Sequence, residues 1–332
     1  MENKTVNLSC RPEPKPEQIL GDGVVSTLVI ICLSSLPVLT ILGNLLVIII
    51  IVRRSNFRQK ANVFVVSLAI ADIAVAIFVM LFSILQEVSN MAWLSDPNIC
   101  LMAWSFDVMF TTSSILHLMC MTIDRYVAIC LPFRYHDLIS QTCVATLLML
   151  CWSLPAVISF GLIFGKVHMI GIEEYYSCSS ECHFRVNAYY AIICSVISFY
   201  IPSIFMLVLN FKIFWNVRVR TRQLRQMTDG LAVQSKQKEH FLLREASVAR
   251  TIAIMLGCFL ICWLPFFVFN IIDPLMNYTI SEVLWKIVTW FGYVNSTINP
   301  YLYYFRNRKN RPCIYKSNVV MKRTASCKGH QV

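Results

Sequence analysis

The sequence predicts an all-α membrane protein, a single bundle of seven transmembrane helices. Three observations carry that prediction. Of 332 residues, 57% are hydrophobic and only 14% are charged, against about 25% charged in an ordinary soluble chain. The apolar residues are gathered into seven runs of 20 residues or more, the length that crosses about 30 Å of hydrocarbon as a helix. The basic residues collect on alternate connections between those runs.

The runs cover approximately residues 25–52, 61–87, 98–129, 141–165, 187–214, 248–273 and 283–305. The connections are short, so no second domain fits between them. The expected organisation is a tail over 1–24, the bundle over 25–305 and a tail with a short basic helix over 306–332. The first run follows a polar, Pro-rich head (Arg11–Pro16), which is not the form of a cleaved signal peptide. A soluble helical protein would need seven fully apolar helices in one core, which makes that reading poor.

Orientation follows from charge. Arg53, Arg54, Arg58 and Lys60 on the first connection, Arg134 on the third, and the Lys and Arg of segment 212–250 and of the tail from 306 make up most of the 29 basic residues. The other side holds Lys4, Arg11, Lys15, Lys166, Arg185 and Lys286. The positive-inside rule places the first set in the cytosol and the N-terminus outside, as expected of a multi-pass protein of the cell membrane. The net charge of +11 is thus a topology signal with affinity for anionic lipid, not a nucleic-acid footprint. The sequons at Asn3 and Asn7 fall on the outer tail and predict glycosylation.

Most of the 14 cysteines lie in apolar runs, where Cys is an ordinary small hydrophobe. Cys10, Cys100, Cys178 and Cys182 all lie on the outer, oxidising side. Two disulfides are expected, and three pairings are open. Joining Cys100 to Cys182 would lay the long loop across the mouth of the bundle; Cys10 with Cys178 would pin the tail to it. Cys313 and Cys327, in a basic juxtamembrane tail, are palmitoylation candidates.

A carboxylate inside a membrane helix costs roughly 2.5–3.5 kcal/mol, so each is a functional candidate. Asp72 lies midway along the second span, Asp107 about two turns inside the third, and Asp124 and Arg125 at that span's inner end. Asp107 and Arg125 share a helix face about 27 Å apart, and Thr111 and Ser114 continue the polar seam. A buried acid neutralised by a hydroxyl or backbone partner is the bland alternative for Asp107. Its surroundings argue for a cation. Trp263, Phe266, Phe267 and Asn270 fall on one face of the sixth span, and Trp290 and Tyr293 share a face of the seventh. Aromatic faces around a carboxylate attract an ammonium. Pro265 kinks the sixth span at that level.

The motifs now align with a family, one set per span. They are Gly43-Asn44, Leu68-Ala69-Ile70-Ala71-Asp72, Asp124-Arg125-Tyr126, Trp152, Pro202, Cys262-Trp263-Leu264-Pro265 and Asn299-Pro300-Tyr301-Leu302-Tyr303. The chain resembles the rhodopsin-like (class A) G-protein-coupled receptors over essentially its whole length. Asp107 with Trp263, Phe266, Phe267 and Tyr293 resembles the aminergic branch. Within it, Trp152 to Val157, Glu173-Glu174-Tyr175-Tyr176, the set Cys10, Cys178 and Cys182, and Trp290 to Tyr293 running into Asn295-Ser296-Thr297 resemble trace-amine-associated receptors. Cys194-Ser195, Phe199 to Pro202 and Asn270 to Pro274 resemble the type 4 serotonin receptor. The trace-amine resemblance has the more particular marks. The chain departs from that pattern at Tyr304 to Lys309, and carries Asn210 where the class usually has Tyr.

The resemblance implies a receptor and no enzyme. Its ligand would be a small biogenic amine, either a trace amine, diamine or polyamine or a serotonin-type monoamine, with its ammonium on Asp107. Val108, Thr111, Phe184, Cys194, Ser195, Ser198, Trp263, Phe266, Phe267, Asn270, Trp290 and Tyr293 would complete the pocket. Among the acidic rim residues, Glu87 and Asp273 are candidates for a second ligand amine. Asp72, Ser114, Asn295, Ser296 and Asn299 resemble a sodium site, the only bound ion expected; no cofactor is. Asp124, Arg125, Tyr126, Glu245 and Tyr303 resemble the coupling end, with Glu245 pairing Arg125 at rest. The implied partners are a heterotrimeric G protein of the stimulatory type, raising cyclic AMP, and arrestin; many trace-amine receptors serve olfaction. Against a transporter, no inverted repeat is present. Against an enzyme, no nucleophile elbow or phosphate loop occurs, and His117 and His240 lack partners at metal spacing. A peptide receptor on the same fold would not depend on Asp107.

Overall fold

The computed structural model describes residues 23–53, 60–88, 96–173, 176, 182, 184–226 and 232–309, without the side chains of 23–27, 61, 87, 224–226, 232–241, 244 and 305–309. The described secondary structure is helical throughout. Seven long helices form the bundle. α1 is Gly23–Arg53. α2 is Lys60–Ala74, running on through a π-helical turn, Val75–Met80, into Leu81–Val88. α3 is Pro97–Cys130 and α4 is Gln141–Phe164. α5 is Ala188–Ser195, continuing through a second π-helical turn, Val196–Tyr200, into Ile201–Gln226. α6 is Ala232–Leu275 and α7 is Glu282–Lys309.

Local chemistry sets the helix starts. Asp96 Oδ1 accepts from the Asn98 and Ile99 amides at 2.9 and 3.3 Å, with Pro97 at the first helical position, a capped start that needs no water. Ser140 caps α4 through the Cys143 amide, and Asn187 caps α5 through the Tyr190 amide.

α3 is the central strut. At about 1.5 Å per residue its 34 residues reach about 50 Å, and it packs against α2, α4, α5 and α6. Ile115, Leu118, Met121, Phe199, Met206 and Phe259 form the buried centre around it. Elsewhere the bundle is inside-out by the standards of a soluble protein. Leu42, Met149, Val157, Ile197 and Ile261, on four different helices, are 60–71% exposed, apolar surface that acyl chains solvate.

α1 is fastened to α7. A Cβ on Gly43 would lie 2.8 Å from Pro300 Cγ, so only glycine permits this approach. The Thr40 and Thr297 hydroxyls meet at 2.7 Å, and Asn44 Nδ2 donates to Ser296 O at 3.2 Å. Such interhelical bonds contribute only about 0.6 kcal/mol each in a membrane; close packing supplies the rest.

Six helices, α1 to α6, are long and apolar enough to cross a membrane. α7 carries Lys286, Asn295, Ser296 and Asn299, with the last three buried inside the bundle. It spans by burying its polar groups against neighbours.

The expected spans match the helices at most ends, with one systematic difference. The apolar run of the fifth span ends near 214 and that of the sixth begins near 248, yet α5 continues to Gln226 and α6 starts at Ala232. Hydropathy reports where the apolar stretch ends. Arg, Lys, Gln and Glu are good helix formers and extend both helices beyond it. The N-terminal tail, with Asn3, Asn7 and Cys10, lies outside the described residues, as do Cys178, Cys313 and Cys327.

Candidate functional site

Asp107 stands on α3 and Tyr293 on α7, and the Tyr293 hydroxyl donates to Asp107 Oδ2 at 2.8 Å. Thr111 Oγ1, one turn along, approaches Oδ1 at 3.5 Å, the outer limit of a bond. Tyr293 thereby fixes the carboxylate's rotamer across the bundle and leaves lone pairs for a further donor.

Rings surround it. Trp263 stands edge-on to Phe266 at 5.6 Å and to Tyr293 at 6.2 Å, Trp290 lies 5.5 Å from Tyr293, and Phe267 stacks on Phe199 at 4.2 Å. Edge-to-face rings at these separations leave faces free for a cation. Gly292 lets the sixth and seventh helices close here, because a Cβ would lie 3.0 Å from the Trp263 ring.

Between these residues is a cavity of about 230 Å³. Every pocket candidate lines it: Asp107, Val108, Thr111, Phe184, Cys194, Ser195, Ser198, Trp263, Phe266, Phe267, Asn270, Trp290 and Tyr293. Asn270 Nδ2 donates to Ser195 Oγ at 3.0 Å, which leaves the Ser195 hydroxyl proton for another acceptor. Ser198 donates to the Cys194 carbonyl at 2.6 Å, so its oxygen remains an acceptor. The α5–α6 wall therefore offers both a donor and an acceptor.

Cys182, Phe184 and Arg185, from the segment before α5, line this end. Cys182 is joined to Cys100 at the start of α3, one of the pairings the sequence left open. Phe184 rests against Trp104 at 5.1 Å. Asn187 anchors the segment's far end through Nδ2 to the Val167 and His168 carbonyls at 2.8 and 3.1 Å. His168 itself is fully buried among Trp104, Tyr176, Phe184 and Tyr190. Burial, with the Lys166 charge adding to it, pulls its pKa down to about 4. The Glu173 carboxyl is held below its usual range by the backbone amides it accepts from, Gly171's among them.

Of the two candidates for a second ligand amine, Glu87's side chain lies outside the described residues. Asp273 is 1% exposed and does not line the cavity. Its Oδ2 receives Arg185 Nη1 at 2.5 Å and Trp285 Nε1 at 3.0 Å. Glu282, one of the acidic rim residues, does line the cavity, and Arg185, Trp285, Lys286 and Trp104 are lining residues that the sequence did not single out for the pocket. Trp285 had a signal, since 285, 289 and 293 share one helical stripe. Arg185 sits in a loop and has no period to betray it.

At the other end of α3, Arg125 is 4% exposed. It donates through Nε to Asp124 at 2.8 Å and through Nη1 to Glu245 on α6 at 2.5 Å. The Tyr135 hydroxyl donates to the other Asp124 oxygen at 2.9 Å, and burial raises that phenol's pKa. The expected Arg125–Glu245 pair is thus formed. Tyr126 is half-buried beside it; Tyr303 is buried against Val47, Ile51 and Val66. Asn210 spends its amide on the Met206 carbonyl of its own helix at 2.9 Å.

Between the two ends, Asn299 Nδ2 donates to Asp72 Oδ2 at 3.0 Å. Asp72 Oδ1, Asn295 Oδ1 and Asn299 Oδ1 are buried oxygens without a donor among the described residues. Ser114 and Ser296 are buried in the same bundle interior.

Residues 43–303 match the family described as 7 transmembrane receptor (rhodopsin family). The chain is 38% identical to 5-hydroxytryptamine receptor 4 of Cavia porcellus over 309 residues, covering 88% of this chain and 79% of the relative. It is 32% identical to trace amine-associated receptor 13c of Danio rerio over 302 residues, covering 89% and 87%. With trace amine-associated receptor 1 of Macaca mulatta the figures are 33% identity over 297 residues, covering 87% and 88%. The chain therefore belongs to the rhodopsin family of seven-transmembrane receptors, multi-pass proteins of the cell membrane and not enzymes.

Proposed function

We propose that this protein is a cell-surface receptor for a small biogenic amine, with its N-terminus outside, which couples to a stimulatory heterotrimeric G protein and raises cyclic AMP. The observation that carries the reading is the Asp107 carboxylate. It is oriented by Tyr293 and lines an aromatic cavity. A charged group so placed within a membrane helix is costly unless a cation uses it.

In this reading the ligand ammonium sits on Asp107, and its ring lies among Trp263, Phe266 and Phe267. The Ser195 donor and Ser198 acceptor suit a distal hydroxyl or ring N–H. That wall, with the serotonin-receptor likeness, favours a monoamine carrying such a group; the trace-amine likeness admits simpler amines. Ligand binding repacks Trp263, and the Arg125–Glu245 pair releases to open the G-protein cavity, with arrestin as a later partner of the same face.

The sodium site belongs to the same proposal. The donorless Oδ1 atoms of Asp72 and of Asn299, two side chains already joined by a hydrogen bond, suit a hard monovalent cation. Raising sodium in a membrane binding assay is expected to weaken agonist affinity in the parent protein and not in Asp72→Asn. Equal sodium dependence in both would remove the site.

The test of function is cyclic-AMP output in transfected cells against monoamines, diamines and polyamines, with Asp107→Ala alongside. A response lost by about two orders of magnitude or more in the variant is expected, the effect of stripping a buried partner from a charge. A full response from Asp107→Ala at equal surface expression would refute the reading.

A further inference from the structure

Arg185 is held from every side. Three residues before it, Cys182 is bonded to Cys100; two residues after it, Asn187 is tied to the Val167 and His168 carbonyls. Its amide donates to the Tyr176 hydroxyl at 3.0 Å, and its guanidinium lies 6.0 Å from the Tyr278 ring centre. Tyr278 adopts a left-handed backbone, φ 57°, and its hydroxyl donates to the Val186 carbonyl at 3.0 Å. The guanidinium is 8% exposed and bridges two helices, donating to Asp273 of α6 at 2.5 Å and to Glu282 of α7. Arg185 and Glu282 line the same cavity as Asp107.

The chain thus places its own cation on the acidic pair at the pocket mouth. We propose that Arg185 is a built-in second cation that sets ligand selectivity: its guanidinium fills the acidic subsite of Asp273 and Glu282, so that the cavity takes amines with one ammonium and rejects α,ω-diamines. This rests on the amine-receptor reading above. A first ammonium is neutralised by Asp107. A second would enter where the acids are already paired and a like charge faces it, and both effects are unfavourable. Without the guanidinium, Asp273 keeps two donors, Trp285 Nε1 and the Ile280 amide, each at 3.0 Å. Asp273 would stay in place and offer an ammonium a partner.

The experiment compares straight-chain monoalkylamines with α,ω-diamines of four to eight carbons, by cyclic-AMP concentration–response at matched surface expression. In the parent receptor each monoamine is expected to be at least about tenfold more potent than the diamine of equal length, the scale of one partly buried ion pair. Arg185→Gln is expected to remove or reverse that preference. Arg185→Lys should keep it, and adding Asp273→Asn to Arg185→Gln should cancel the gain for diamines. A parent receptor that prefers diamines overturns the inference even where no variant reaches the surface. So does Arg185→Gln shifting monoamines and diamines equally. Loss of the amine-receptor reading is seen separately, as monoamine responses that survive Asp107→Ala or silence to every amine, and it takes this inference with it.

Discussion

At His168 both ring nitrogens are buried and neither has a partner among the described residues. Four aromatic rings enclose it within about 6 Å. A neutral imidazole fits such a cage, and an imidazolium would have to shed its water. Its pKa, near 6.5 when exposed, falls to about 4 in the fold. The unfolded chain therefore binds the proton first, and stability contributed by neutral His168 is full above about pH 6.5 and is lost as pH falls toward 4. His168→Phe removes both the unpaired nitrogens and the titration while keeping the ring. The thermal midpoint of the purified receptor should rise at pH 5 and change less between pH 7 and 5 than in the parent. Parallel pH profiles for the two proteins would contradict this account. Gly292 shows the opposite economy, where an absent side chain lets Trp263 lie against α7.

Among the elements, α6 connects the two sites. Its pocket half carries Trp263, Phe266, Phe267 and Asn270, with Pro265 between them. Its other half carries Glu245, which closes on Arg125. Pro265 removes an intrahelical hydrogen bond, so the helix has a hinge between ligand and lock. Glu245→Gln keeps the shape and removes the charge. Weakening the closed state by about 1 kcal/mol corresponds to a roughly fivefold shift in population. Agonist-free cyclic AMP should rise severalfold at matched expression, and an unchanged basal level would show that the pair does not hold the resting state. The extension of α6 that carries Glu245 was not legible as helix from hydropathy, which is blind to polar helix. Only the resemblance pointed to Glu245.

In the whole molecule, the architecture was readable because a bilayer admits few solutions. Backbone polar groups must be satisfied within each span, so apolar runs of the right length are helices. The pocket was readable where it lies on helices: 263, 266, 267 and 270, or 290 and 293, recur at helical spacing, and Asp107 is conspicuous in an apolar run. The mouth was not. Arg185 acts through a loop whose course is set by the Cys100–Cys182 bond and by Asn187, and no period in sequence brings it to Asp273, 88 residues on. The expectation of Asp273 as a ligand group came from its charge alone; the fold gives that charge an internal partner.

The central claim is that Asp107 meets a ligand charge, and the most direct measurement is a coupling between the two. An active amine and its neutral isostere, with the ammonium replaced by a hydroxymethyl or methyl group, are each bound to the parent receptor and to Asp107→Asn. The account predicts that the amine binds the parent about a hundredfold more tightly than the isostere and that this advantage disappears in the variant, a large coupling between residue and ligand charge. An amine advantage of the same size in both proteins would place the ammonium elsewhere and contradict the account.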